Sequence, residues 1–519
     1  MNRREFLKHT AATGSVSAWG PRALALQAGA SNDGLKVGFA ERDITPDIGM
    51  EQPGGYGKSY HHKLHDPCKV RVALFDDGRR RVALVGVDAL VVPRGLVLAA
   101  RKEIQQRCGI APDAVLIGAS HSHSSGPTGM IQPGEYDFAS PLVKKLAYEK
   151  SSCADAGYLE RVQTEIVTGV CHANSLRVEA RCGFGSGRED KVAYNRRFRM
   201  KNGRTYTHPG QGNPDILGYA GPTDPEVGVI GSWDRSGRLL GCVVNYACHA
   251  TTNPGGISAN WIYYLEQAIR GAMGPDVIVV LLQGACGDIT QVDNLSTYKQ
   301  PDAEDWARLV GGRVGAEAIK VLLTMHPGDF SPLDAASTVL RIKRRVPSQE
   351  RVRRCTEVVQ KDPGEVGAVR WTFAKEIVLL DATSAQHAVA EVEVQAIQIG
   401  PAVFLSNPAE LFCQFGLDLK AKSPFKLTYP VELANGSVGY VPTEEALGSH
   451  GGGYETRLTS YSNLEPTAGR QMVEAALELA GGMKPGKMPE PPKAPPFQSG
   501  EGGIGSGPWS YGNVPPELS

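Results

Sequence analysis

An excess of charge is the first thing this sequence lacks: 55 Lys and Arg balance 55 Asp and Glu over 519 residues, for a formal net charge of zero. With no long block of one sign, binding to nucleic acid or another polyanion through bulk charge is excluded as the organising function. Beyond the N-terminus no run reaches the ~18 consecutive apolar residues that a membrane span needs, and no Trp/Leu-rich amphipathic docking helix stands out. The ten cysteines (Cys68, Cys108, Cys153, Cys171, Cys182, Cys242, Cys248, Cys286, Cys355 and Cys413) include no CxxC pair. They read as buried thiols, with one or two disulfides open in an oxidising compartment, and not as metal ligands.

What is present is glycine (61) and proline (35) beside an ordinary 41% of hydrophobic residues, which points to a loop-rich globular enzyme rather than a helical bundle or a disordered chain. The length leaves volume for one large domain or two ordinary ones. The opening Asn2-Arg3-Arg4-Glu5-Phe6-Leu7-Lys8, an Ala/Gly/Ser-rich stretch and then Ala23-Leu24-Ala25 read as a twin-arginine export signal. That route carries folded proteins, often with a metal installed, to a bacterial periplasm or exterior. Residues 1–30 are therefore set apart, 31–482 are expected to form the working domain, and the Pro/Gly-rich 483–519 a tail.

Strand-like and helix-like periodicities alternate from about residue 35. A hairpin is expected from Arg71–Leu74 and Val82–Val87 around Asp76-Asp77-Gly78, then a helix near Val97–Cys108 and a buried strand at 114–118. Further strands are expected at Glu226–Trp233, Leu239–Tyr246, Asp276–Leu282, Ala390–Ile399 and Ala402–Ser406. Helices are expected at Tyr158–Asn174, Tyr263–Met273, Glu304–Leu323, Arg370–Ala382 and Gly469–Leu479. The fold class that follows is α/β: one large domain of mixed sheets flanked by helices, with the chemical residues on strand-end loops.

Two of those loops carry histidine. His121-Ser122-His123 follows the 114–118 strand, and in an extended segment residues i and i+2 face one side, so two imidazoles converge as a metal or proton-transfer site requires. His249 ends the apolar run 243–248, where a lone histidine serves equally well as a hydrogen-bonded structural residue. Glu410 stands in Asn407-Pro408-Ala409-Glu410, read as the opening of a helix, where its bland role is to complement the helix N-terminus.

Taken in order, four segments resemble the neutral/alkaline non-lysosomal ceramidase family across about residues 35–480. Ala119-Ser120-His121-Ser122-His123-Ser124-Ser125-Gly126-Pro127 is similar to that family's THTHSGP signature, and Asn245-Tyr246-Ala247-Cys248-His249-Ala250-Thr251 to its second histidine segment. Asn407-Pro408-Ala409-Glu410 and Asn435-Gly436-Ser437-Val438-Gly439-Tyr440 resemble its glutamate and tyrosine segments. The resemblance implies a zinc ion (Zn2+) held by His121, His249, Glu410 and Tyr440, and hydrolysis of an N-acyl amide, by default a ceramide. It further implies proton transfer by His123, substrate anchoring by Arg196 of Tyr194-Asn195-Arg196-Arg197, and a part for Tyr454 in the oxyanion environment.

The sequence departs from the family at two places. Thr290, in Gly287-Asp288-Ile289-Thr290, stands where the family has a serine; its branched hydroxyl favours a substrate-contacting or structural role over nucleophilic attack, and Asp288 serves equally as a brace. Family members acting on ceramide commonly carry a further β-sandwich domain, whereas a Pro/Gly-rich stretch follows residue 480, so the chemistry is expected to be kept with the lipid specificity open. Two rival readings remain: a metal-dependent hydrolase or lyase on a secreted carbohydrate or glycolipid, and a non-catalytic periplasmic metal-binding module. The expected partner is a small-molecule or lipid substrate, with no nucleic acid; the oligomeric state is left open.

Overall fold

Two strand–helix–strand crossovers deliver the histidines, and the rest of the fold brings the ends of those crossovers together. The computed structural model describes residues 34–493, so the expected export signal and most of the expected tail lie outside the described residues. In the first crossover the strand Arg81–Val87 runs through the helix Arg94–Cys108 into the parallel strand Val115–Ala119. The helix stops at Gly109, whose φ of 66° is the left-handed turn that glycine adopts freely. In the second, Leu239–Tyr246 passes through the helix Trp261–Met273 into the parallel strand Ile278–Gln283. Asn260 caps that helix with its side-chain oxygen on the Trp261 N–H.

These two parallel pairs form the ends of one eight-stranded sheet whose middle is antiparallel. Lys36–Asp43, Lys69–Asp76, Val178–Arg188 and Glu226–Asp234 supply the middle strands. The sheet curls until its ends meet: a Cβ on Gly86 would lie 2.5 Å from the Leu281 carbonyl oxygen, so only glycine allows this approach. Because the C-terminal ends of Val115–Ala119 and Leu239–Tyr246 are thus brought close, loops 120–128 and 247–253 share one region.

A second sheet joins Leu333–Lys343, Val389–Ile399, Ala402–Ser406 and Leu427–Val431 in that order. The segment after its last strand is threaded into the first sheet by hydrogen bonds from Asn435 N to the Ile117 carbonyl and from Glu432 N to the Gln283 carbonyl. Helices Ala156–Ser175 and Ala303–Thr324 cover the first sheet, and Cys413–Lys422 and Ala468–Gly481 the second. The expected class, mixed sheets flanked by helices, is what the chain adopts.

Glu410 is one correction. It lies on a short strand, Ala409–Leu411, paired in parallel with Gly439–Val441, and the helix begins only at Cys413. The Pro-Ala-Glu pattern imitates a helix start, but the backbone groups of 409–411 are taken by a partner thirty residues on. All ten cysteines are free thiols.

Candidate metal centre

His121 and His249 meet with their rings edge-to-face, centroids 4.7 Å apart, and His121 meets His123 in the same manner at 4.8 Å. His121 reaches this position with φ of 59°, so the pair converges through a left-handed bend in the loop and not, as expected, by alternation along an extended strand. Each deeper histidine is oriented by a backbone carbonyl. Nδ1 of His121 bonds to the Leu90 oxygen at 2.9 Å, and Nδ1 of His249 to the Cys286 oxygen at 2.7 Å. A carbonyl only accepts, so both Nδ1 atoms carry a proton, and in the neutral ring each Nε2 presents a lone pair.

Those lone pairs face the carboxylate of Glu410, whose Oε2 lies 3.2 Å from His121 Nε2 and 3.4 Å from His249 Nε2. Three acceptors pointed at one another repel unless something positive lies among them. Indeed His249 Nε2 and Glu410 Oε2 are buried with no hydrogen-bond partner. Ligand atoms ~2.0–2.1 Å from one tetrahedral ion stand about 3.3–3.4 Å apart, so the spacing suits a cation of zinc's size. Two imidazoles and a carboxylate are also the donors such an ion takes, and each imidazole has its tautomer fixed by an outer contact.

Tyr440 stands directly across from Glu410 in the parallel ladder, which turns both side chains to the same side. Its hydroxyl accepts from Arg196 Nη2 at 3.1 Å. Arg196 is buried, gives Nε to Glu455 at 2.8 Å and Nη2 to the Gly287 carbonyl at 2.7 Å, and its guanidinium carbon is 5.1 Å from the Tyr454 ring centroid and 5.6 Å from that of Tyr440. It therefore stands against the two tyrosines and is not among the residues that line the cavity they face.

Burial opposes charge on His123, His249 and Glu410. It drives the His249 imidazole down to about 3, with the Arg196 charge adding, and takes His123 well below its ordinary value together with His121 and His249. Glu410 goes the other way: burial works against its ionisation, yet the two imidazoles hold it well below the usual carboxylate range. Burial pushes the phenols of Tyr440 and Tyr454 up, with the Glu410 charge contributing.

The cluster opens into a cavity of about 780 Å³ lined by His121, His123, Glu410, Tyr440 and Tyr454 on its inner side. His123 is partly exposed to it, with Nε2 at 3.3 Å from that of His121 and no carbonyl anchoring its Nδ1. Gly54, at φ of 91°, passes over the His123 ring, where a Cβ would come within 2.3 Å of Nδ1. The lining further mixes apolar Leu90, Met130 and Phe373 with polar Gln132, Glu135 and Arg344.

Thr290 lies off this wall. It pairs with Tyr194 in a two-residue ladder, and its hydroxyl meets the Gln291 side chain at 3.4 Å and the Val292 N–H at 3.3 Å. Asp288 is the brace, accepting from Asn195 and from the Cys413 N–H, each at 2.8 Å.

Sequence reasoning missed Glu432 and Cys286. The fully buried Glu432 carboxyl accepts the N–H of Cys286 and of Leu411, both at 2.9 Å, tying the residue whose carbonyl orients His249 to the neighbour of Glu410. Cys286 Sγ lies 3.4 Å from His249 Nδ1 and 2.9 Å from Glu432 Oε1, so this thiol takes part in the outer contacts. An acid inside the apolar run 429–434 was the available signal.

No protein-family model and no curated protein matches this chain. Among solved structures, the fold is that of neutral ceramidase from Pseudomonas aeruginosa, with a TM-score of 0.65 over 88% of this chain and 76% of that one at 19% identity. A structure described as ceramidase complexed with C2 is similar at a TM-score of 0.64, covering 88% and 77% at 17% identity.

Proposed function

We propose that the chain is a zinc-dependent hydrolase that cleaves an N-acyl amide of the ceramide type, exported by the twin-arginine route to the periplasm or beyond. The observation that carries this reading is the pair of buried, unpartnered atoms, His249 Nε2 and Glu410 Oε2, set beside His121 Nε2 at the spacing of ligands to one ion. His121, His249, Glu410 and Tyr440 would hold the zinc, which when bound supplies a Lewis acid and lowers the pKa of a water toward ~7. The same fold in ceramidase structures supports an N-acyl amide as the substrate.

His123, kept neutral by burial, takes the proton of the attacking water at Nε2 and returns it to the leaving nitrogen. The neutral phenol of Tyr454, braced by Arg196, donates to the carbonyl oxygen as negative charge develops there. Glu455 and the Gly287 carbonyl hold Arg196 still, and the Gly54 loop covers the His123 ring. Thr290 acts as a structural hydroxyl.

The polar lining residues Gln132, Glu135 and Arg344 favour a second reading in which the substrate carries a hydroxylated or sugar headgroup. Purified protein of known metal content, offered N-acyl sphingosines, simple N-acyl amines and glycosylated counterparts, tests both. Fatty-acid release abolished by chelator and by His121→Ala supports the amidase. About one zinc per chain with release from the glycosylated members alone would bring the second reading forward, and no release from any panel member would remove the N-acyl amide assignment.

A further inference from the structure

Beside the cavity runs a second groove, of about 850 Å³, between the helices Gln349–Val359 and Ala368–Gln386. Four guanidinium groups line it, those of Arg351, Arg354, Arg370 and Arg457, and no Asp or Glu is among the lining residues. Arg354 is paired with Glu350 at 3.0 Å, whereas Arg351, Arg370 and Arg457 make no ion pair among the described residues. The surrounding segment, Arg341 to Arg370, has nine Arg or Lys against four Asp or Glu in a chain whose net charge is zero. No single run is long enough to stand out in the sequence; the helix pair gathers the charge.

The floor is apolar, made by Val358, Phe373 and Ile377, with Val369 on the rim at 67% exposure. Phe373 also lines the metal-centre cavity, so one ring separates the two spaces. It is held firmly: Arg457 stacks at 4.1 Å from its centroid, and Tyr56 stands at 6.0 Å. Two residues along, the buried Lys375 pins the helix by donating to the Tyr56 carbonyl at 2.5 Å and to the Ser151 hydroxyl at 2.7 Å.

We infer that this groove binds a long-chain anionic amphiphile, its head among the guanidinium groups and its chain along Val358, Phe373 and Ile377. Charge complementarity selects the head, since Arg351, Arg370 and Arg457 have no acidic partner among the described residues and an anionic head supplies one, and the apolar floor selects the chain. A fatty carboxylate has this chemistry. Its identity as the product of the neighbouring site rests on the hydrolase reading above, whereas the ligand class rests on the groove alone.

The test is calorimetric titration of the whole protein with decanoate below its micelle concentration. Decyl glucoside offers the same chain without charge, acetate the charge without the chain, and phosphatidylglycerol vesicles an anionic bilayer. Decanoate should bind at least ~10-fold tighter than either soluble control, and the exposed double variant Arg351→Gln/Arg370→Gln should weaken it by about 10-fold or more. Val369→Asp should weaken it too, and His121→Ala should leave it unchanged. Equal binding of decyl glucoside, indifference to both groove variants, loss in His121→Ala, or binding to vesicles alone would each overturn the inference. Failure of the hydrolase reading would be seen separately, as decanoate binding without fatty-acid release from the N-acyl panel.

Discussion

Glu432 is the support whose removal should reveal most about how the centre is held. Its Oε2 accepts two buried N–H groups, from Cys286 and Leu411, and the side chain is fully buried without a basic partner. Burial, aided by the nearby Glu410 charge, raises its pKa well above the usual carboxylate range, which favours the protonated acid. Glu432→Ala leaves both N–H groups unsatisfied, at about 1–3 kcal/mol each, and with partial relaxation the net loss should be about 3 kcal/mol. The Cys286 carbonyl that orients His249 is then freed, and zinc affinity should fall about 10–100-fold, as for other outer partners of metal-ligating histidines. Glu432→Gln keeps an oxygen for the two N–H groups and sets its amide nitrogen where Oε1 accepts from the Cys286 thiol, which must turn, and should cost about 1 kcal/mol. Urea unfolding and competition for zinc with a chromophoric chelator measure both effects. If the glutamine variant is as damaged as the alanine variant, the ionised carboxylate is what the site needs and the reasoning fails.

Gly86→Val should destabilise the protein by about 3 kcal/mol or more and lower zinc affinity, because the added Cβ meets the Leu281 oxygen where the sheet ends close; unchanged chemical denaturation and zinc binding would refute this. Thr290→Val should retain zinc and most of kcat, since the hydroxyl faces Gln291 and Val292 away from the cavity; loss of activity with zinc and fold intact would make it a reacting group. Asp66, raised to about 6 mainly by burial despite hydrogen bonds from Ser258 and the Ala259 N–H, should tilt stability against pH. From about pH 4 to 6 the folded state keeps a proton that the unfolded chain has lost, so this group's contribution is greatest below that window, falls by about 3 kcal/mol across it and is level above. Asp66→Asn should remove that slope in thermal melts, and a slope that persists would contradict the assignment.

Much of this arrangement was legible because strands and their terminal loops are local. The apolar run 278–283 and the turn-bounded runs at 69–87 and 226–246 are strands where periodicity put them. The strand Val178–Arg188 escaped because Gly183, Gly185 and Gly187 dilute its pattern. Those glycines exist to admit Met325, Val321 and Glu317 from the region of the covering helix, a tertiary fact. Glu410 was found for the right element boundary and the wrong element, since its ladder partner Tyr440 is distant in sequence. The histidines were readable as a set only through their order along the chain. What turns them into one site is the curl of the sheet, which depends on backbone contacts such as Gly86 against Leu281 that no residue pattern announces. The outer contacts, Leu90 and Cys286 carbonyls on the imidazoles, are made by main chain and leave no trace in residue type.

The most direct test of the account is zinc stoichiometry by equilibrium dialysis on purified protein and on His121→Ala, His249→Ala and Glu410→Gln, with circular dichroism as the control for folding. About one zinc per chain, lost or weakened at least ~100-fold in each folded variant, is the predicted result. Zinc retained equally by the variants, or no zinc held by the folded parent protein, would contradict it.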